Sequence, residues 1–388
     1  MLNGYIENIV KSCGPRVPGS EEETKAVEIT RNILSGTCDK VDIEAFNVAP
    51  RVLQRLTELT AYAFIAMFIL FFISPIFSLL IASTNLGIVV LSRWYDFDLV
   101  EKYMEKRTSH NLIGIIKPAD TTKRRFIVSG HIDSAFNMPL LSRRFVWLTP
   151  ILEVFSTLTG VVMAFISVYA MSRGKWIFPY IPNKIWSVSV LIGFAGVIAT
   201  QIMRKGLVTD KAVDGANDNL SGVAVAVGFA EYLKGNKPKN TEVMCIAFGS
   251  EEPNTKGSQA FVKKHIGELK SIPTYVLNFD MIGEDGTLRI IKREMEVHGK
   301  HSAEFVNFVN DAGNNAHINN KPSTLPFGNT DATPFSRKGI QATSIIRLDS
   351  TGLPGHWHNF EDTIKNIREE SLTEALELAK AVLTKLDV

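Results

Sequence analysis

Short apolar runs and helically spaced apolar positions fill most of this chain, and two long uncharged blocks break the pattern. Ala26, Ile29, Ile33 and Leu34 recur at helical spacing ahead of the first block. Leu372, Ala375, Leu376, Ala379, Val382 and Leu383 do so again near the C-terminus. Between them, residues 126–128, 243–248, 275–279 and 342–346 read as short strands, alternating with helical stretches at 221–233 and 303–309. That alternation predicts an α/β unit, a mixed and mostly parallel sheet flanked by helices. Each acidic or histidine-bearing motif described below is expected to follow a strand, which would gather the motifs in the crevice at the carboxyl ends of an open sheet. The sequence has no internal repeat and no low-complexity tract.

The first uncharged block runs from Leu59 to Leu91 with a Ser74-Pro75 break near its middle. At about 20 residues per crossing, it fits a hairpin of two short spans, or one tilted span with a re-entrant piece. The second holds Val154 to Met171, a polar, aromatic and proline-rich turn, and Ile185 to Met203, with Trp147, Trp176, Tyr180 and Trp186 expected at interface depth. Length, absence of charge and aromatic flanks favour two inserted transmembrane helical hairpins over buried core helices. The expected organisation is one catalytic domain built from residues 1–56, 94–145 and 204–388, interrupted by hairpins at 57–93 and 146–203. Because the flanking pieces belong to one domain, each insertion must cross an even number of times or only dip into the bilayer. Arg51, Arg55, Arg93, Arg143, Arg144, Arg204 and Lys205 on the catalytic side outweigh Arg173, Lys175 and Lys184 on the other. This predicts a multi-pass integral membrane protein whose catalytic domain faces the cytoplasm.

Charge adds little, since 42 basic against 40 acidic residues leave no global field to draw nucleic acid. No phosphate-cradling glycine loop and no nucleic-acid-reading module is present in the sequence. Cys13, Cys38 and Cys245 cannot form an all-paired framework, and Cys245, inside an apolar run, reads as a buried thiol in reducing surroundings. The first twenty residues lack the apolar core of a secretory signal, so nothing there directs export.

The chemistry lies in five scattered segments. In Gly130-His131-Ile132-Asp133, His131 suits a metal while Asp133 accepts the other imidazole N–H or props the backbone, although a lone His-x-Asp is as readily a surface pair. Asp218, in Gly215-Ala216-Asn217-Asp218-Asn219, can bridge two cations or simply cap the helix opening at Ser221. Glu251 and Glu252 follow a buried run, where adjacent carboxylates repel unless a cation compensates, so Glu252 reads as a ligand and Glu251 as a general base. Asp280 closes Asn278-Phe279-Asp280, as ligand or turn former, and either His356 or His358 supplies a last ligand.

In this order the five segments resemble the co-catalytic zinc aminopeptidases, metallopeptidase family twenty-eight, which includes bacterial leucyl aminopeptidase, aminopeptidase Y and the glutamate carboxypeptidases. Cys13-Gly14-Pro15-Arg16-Val17-Pro18-Gly19-Ser20 is similar to that family's opening turn. The resemblance covers the N-terminus to Phe46 and Asn111 to the end. It implies the zinc-peptidase sandwich and two zinc ions, one on His131 and Asp280, the other on Glu252 and a C-terminal histidine, with Asp218 bridging and Glu251 as base. The family's last histidine precedes an aspartate by four residues, which His358 and Asp362 match and His356 does not. Pro253-Asn254 after the paired glutamates and Ala332 in place of a frequent histidine depart from the family and bear on substrate. The implied activity is aminopeptidase-type hydrolysis of peptides or amides. Two further readings stand beside it. One is hydrolysis of N-acyl amphiphiles drawn from membrane lipid, with the hairpins emerging near the mouth of the site. The other is a metal-free receptor or scaffold, against which the intact ligand set argues.

Overall fold

A computed structural model describes residues 2–94, 98–180 and 184–387. The chain forms two compact units. One is made of the chain up to Pro50, Lys106–Phe136 and the part from Lys211 onward; the other of Arg51–Glu105 and Asn137–Asp210.

Among the described residues of the first unit, nine strands form one mixed sheet. They are β1 (Lys40–Val48), β2 (Arg107–Ile116), β3 (Arg124–His131), β4 (Thr241–Phe248), β5 (Thr274–Asp280), β6 (Thr287–Glu294), β7 (Gly299–Lys300), β8 (Asn320–Leu325) and β9 (Gln341–Leu348). They lie in the order β1-β2-β4-β3-β5-β9-β6-β7, with β8 paired to β6. The parallel pairings are β3 with β4 and β5, β5 with β9, and β6 with β8. The other four, β1–β2, β2–β4, β6–β7 and β6–β9, are antiparallel. The sheet is thus evenly mixed, not mostly parallel: the strands on either side of the β4-β3-β5-β9 centre join it through antiparallel pairs.

The four central strands are continuous apolar runs because both of their faces are covered. On one side Ile6, Ile9, Val27, Val223, Phe229, Leu372, Leu378 and Val382 pack with Phe126, Val128 and Phe279. On the other, Ile127, Ile246, Phe248 and Val276 meet Phe261, Phe335 and Ile340. The Ser221–Gly235 helix is buried along nearly its whole length, since the Leu2–Cys13 and Glu369–Leu386 helices lie over it. The strand ends therefore deliver His131 from β3, the Glu251-Glu252 turn from β4 and Asp280 from β5 on one edge. Asp218 differs from expectation. It follows no strand, but sits in the kinked 216–220 segment that runs into the Ser221–Gly235 helix.

The second unit contains the Val52–Phe71, Pro75–Trp94, Leu148–Ser172 and Lys184–Gly206 helices. Among the described residues three of these, all but Pro75–Trp94, could span a membrane by length and composition, and Pro75–Ile88 is a shorter apolar helix. Phe64, Met67, Phe71, Met163 and Ile166 face inward, while Ile69, Phe77, Leu158, Phe165, Leu191 and Phe194 are exposed. Trp147, Trp176 and Tyr180 are exposed, whereas Trp186 is 8% exposed and stacks on Phe71 with ring centroids 4.9 Å apart. The helices overrun the uncharged blocks, taking Arg55 into a first turn, Glu58 into the turn after it, and Arg204 and Lys205 into a last one. The Arg93 side chain lies outside the described residues.

Candidate active site

His131 is the last residue of β3, and its neighbour Gly130 sets how close the Ser221–Gly235 helix can come. A Cβ there would meet the Gly222 carbonyl carbon at 2.6 Å. Asp218 is held on both sides by asparagines. Asn217 Oδ1 accepts from Gly283 N at 2.8 Å, and Asn219 Nδ2 donates to Phe279 O, beside Asp280, at 2.8 Å. Asp362 accepts from the backbone N–H groups of Asn217 and Asp218 at 2.6 and 3.0 Å. Two residues sit in the left-handed region to turn their neighbours or themselves inward, Ser250 at φ 49° before the glutamate pair and His358 at φ 52°.

The side chains converge. Asp218 Oδ1 is 3.1 Å from His131 Nε2, and Asp218 Oδ2 is 3.0 Å from His358 Nε2. His131 Nε2 also lies 3.8 Å from Glu251 Oε2 and 3.9 Å from Asp280 Oδ1, while His358 Nε2 lies 3.2 Å from Glu252 Oε2. Three groups are tight enough to hold a metal ion: His131 with Asp218 and Asp280, Asp218 with Glu252 and His358, and His131 with Glu251 and Glu252. His356 is not among them, for it meets Glu284 at 2.8 Å and Glu361 at 3.3 Å. Asp133 props the backbone, accepting from Glu251 N at 2.9 Å and Glu252 N at 3.1 Å. Its Oδ1 is also 3.3 Å from His131 Nδ1, but that ring nitrogen makes no well-directed hydrogen bond.

Burial drives the proton affinities of Glu251 and Asp280 well up against the pull of His131, with neighbouring carboxylates raising them further. Burial alone would depress the imidazoles, yet the carboxylates outweigh it, lifting His358 to about 10 and His131 well above its ordinary value. Asp218 is the exception: burial raises it, but bonds to both histidines carry it below the usual carboxylate range. A dry cluster with this excess of acid is stable only when cations, whether protons or metal ions, compensate it. Glu252 Oε1 and Asp280 Oδ1 are buried without a hydrogen-bond donor. Orphaned carboxylate oxygens mixed with imidazole nitrogens fit zinc well.

Sequence reasoning gave no role to Asp331. This fully buried side chain accepts from Ser258 Oγ at 2.5 Å through Oδ1, leaves Oδ2 without a partner, and is raised to about 7 by burial. A lone acid beside the buried Ala332-Thr333-Pro334-Phe335 run was the available signal. Ala332 itself packs in the apolar cluster of Phe248, Phe261 and Phe335.

Residues 201–383 match the family model Peptidase family M28, a stretch that includes Asp218, Glu251, Glu252, Asp280 and His358 but not His131. Aminopeptidase YwaD of Bacillus subtilis (strain 168) is 30% identical over 175 residues, 44% of this chain. The matched stretch spans 37% of that relative's length. Among solved structures, BSAP, a zinc aminopeptidase from Bacillus subtilis, has a TM-score of 0.59 at 17% identity, covering 99% of this chain and 94% of its own. The Bacteroides thetaiotaomicron glutaminyl cyclase bound to N-acetylhistamine has a TM-score of 0.58 at 16% identity, covering 98% and 96%. The structural likenesses establish the fold, the mixed sheet between helices found in zinc aminopeptidases. Together with the family match over residues 201–383 they support a zinc metallohydrolase.

Proposed function

We propose that this chain is a membrane-integral, zinc-dependent hydrolase of peptide or amide bonds, acting as an aminopeptidase. The observation that carries the reading is the two-sided contact of Asp218, one oxygen on His131 and the other on His358. That geometry supports two ions, one held by His131 and Asp280, the other by Glu252 and His358, with Asp218 shared between them. Bound zinc supplies Lewis acidity toward a scissile carbonyl and toward water. Glu251 takes a proton from the attacking water on its carboxylate and returns it to the departing amine. Asp133 holds the Glu251 and Glu252 backbone in place for that transfer. The apolar helices of the second unit support a membrane location and keep N-acyl amphiphiles in view as a second substrate class.

The test is a substrate panel on the full-length protein in detergent, with zinc content measured alongside. Free-amine peptides should release N-terminal residues, and chelation should abolish and zinc restore the activity. Turnover confined to N-acyl amphiphiles would replace the aminopeptidase reading with a lipid-amide hydrolase. Cyclisation of an N-terminal glutamine, with loss of ammonia and no hydrolysis, would remove both.

The basic excess of Arg51, Arg55, Arg143, Arg144, Arg204 and Lys205 over Arg173, Lys175 and Lys184 supports a cytoplasmic catalytic unit. In right-side-out cells that unit should survive added protease, and its digestion would reverse the orientation.

A further inference from the structure

One short stretch, Gly14 to Glu23, buries two charged side chains and joins them to three of the segments that supply the cluster. Arg16 is fully buried. Its Nε donates to Ile132 O at 2.7 Å, between His131 and Asp133 in the chain. Nη1 donates to Gly14 O at 2.9 Å and Asp214 O at 2.8 Å, and Nη2 donates to Gly215 O at 2.9 Å. The backbone repeats the link, since Arg16 N donates to Ser134 Oγ at 2.9 Å and Ser134 N to Arg16 O at 3.0 Å. Gly215, at φ 61°, has no room for a side chain: a Cβ would stand 2.6 Å from Ser134 Cβ and 2.9 Å from Arg16 Nη2.

Glu23 does the same for the glutamate turn. Ser20 Oγ caps the Glu21–Leu34 helix by accepting from Glu23 N at 3.1 Å, and Glu23 Oε2 accepts from Gly19 N at 2.7 Å. The other oxygen reaches outward, accepting from Ser109 Oγ at 2.9 Å, Ser250 N at 2.9 Å and Ser250 Oγ at 3.2 Å. Ser250 directly precedes Glu251 and Glu252. An ordinary helix cap needs only the inner half of this arrangement. The outer half spans 227 residues of sequence to fix the turn that carries two cluster carboxylates.

We propose that Arg16 and Glu23 are positioning residues of a buried N-terminal clamp that sets the spacing of the His131, Asp218 and Glu251-Glu252 segments and thereby the zinc affinity of the cluster. The guanidinium suits this because its planar fork donates to several fixed acceptors at once, which a lysine ammonium cannot reproduce. A cluster whose donor atoms are misplaced by fractions of an ångström holds metal less tightly, and groups that orient metal ligands are worth about tenfold to a hundredfold in affinity. The inference rests on the reading of the cluster as a zinc site.

The test uses full-length, detergent-solubilised protein loaded with zinc and titrated with a series of chelators, together with the visible absorption of its cobalt-substituted form. Arg16→Lys keeps the charge and loses the fork, and should release zinc at about tenfold to a hundredfold lower chelator strength, with an altered cobalt spectrum. Circular dichroism should stay unchanged. Glu23→Gln puts an amide N–H₂ in place of one acceptor oxygen and should shift the same two readouts. Arg16→Lys with wild-type zinc retention and cobalt spectrum would overturn the clamp. If Arg16→Lys does not fold, Glu23→Gln decides alone, and wild-type retention there overturns it equally. Wild-type protein that holds no zinc would instead overturn the reading of the cluster, a separate and distinguishable failure.

Discussion

Glu251→Gln should lose about a hundredfold or more in turnover while keeping its zinc. The glutamine has the same shape and fits the same buried slot, so any loss reports the missing proton acceptor and not a cavity. The backbone at this position is held through Asp133, which accepts from the main-chain N–H and does not depend on the side chain. Removal of Glu251 also leaves two of the three candidate metal groups untouched. Metal analysis before and after dialysis, set beside kcat, checks both halves. Near-wild-type kcat would require another base.

Asp218→Asn should have the opposite signature, with metal lost first and activity lost because of it. Its two oxygens face different histidines at 3.1 and 3.0 Å, so this one side chain reaches both halves of the cluster. An amide has one oxygen acceptor and no charge, so it offers bound cations less and leaves His131 and His358 without the carboxylate they share. Zinc content should fall on both halves, and kcat at substoichiometric zinc should drop by at least about a hundredfold. Two tightly retained zinc ions would show that the bridge lies elsewhere.

The two effects concern residues that the sequence already exposes, and the reason is physical. Adjacent acids at the end of an apolar run, as in Phe248 to Glu252, are costly to leave unmatched, so they stand out. The central strands stand out likewise, because burial on both faces gives them short apolar runs such as Phe126-Ile127-Val128 and Val243 to Phe248. The flanking strands do not. β1 alternates charged and apolar residues at a half-exposed edge, and β8 carries Pro322, so neither resembles a core strand in isolation. The roles of Arg16, Glu23 and Asp331 were hidden for a related reason: Arg16 and Asp331 lie in polar turns and Glu23 ends a run of three glutamates, where a charge looks solvated until its burial is known. The stack of Trp186 on Phe71 was not legible either, since pairing between two apolar helices leaves no mark on the sequence of one.

The order of strands in the sheet has a consequence for how the protein is made. β3, which ends in His131, pairs only with β4 and β5, and β4 begins at Thr241. A ribosome adding roughly 5–20 residues per second therefore leaves β3 without a partner for roughly 5–20 seconds, during which the whole Leu148–Ser172 and Lys184–Gly206 pair must emerge. The fully apolar Phe126-Ile127-Val128 segment waits unpaired through that interval, a hazard for aggregation that a chain with its sheet uninterrupted would not face. Biogenesis thus runs in a set sequence: the apolar hairpin must leave the ribosome before the half-built sheet can close, and slow or failed handling of the hairpin should appear as a soluble-domain folding defect.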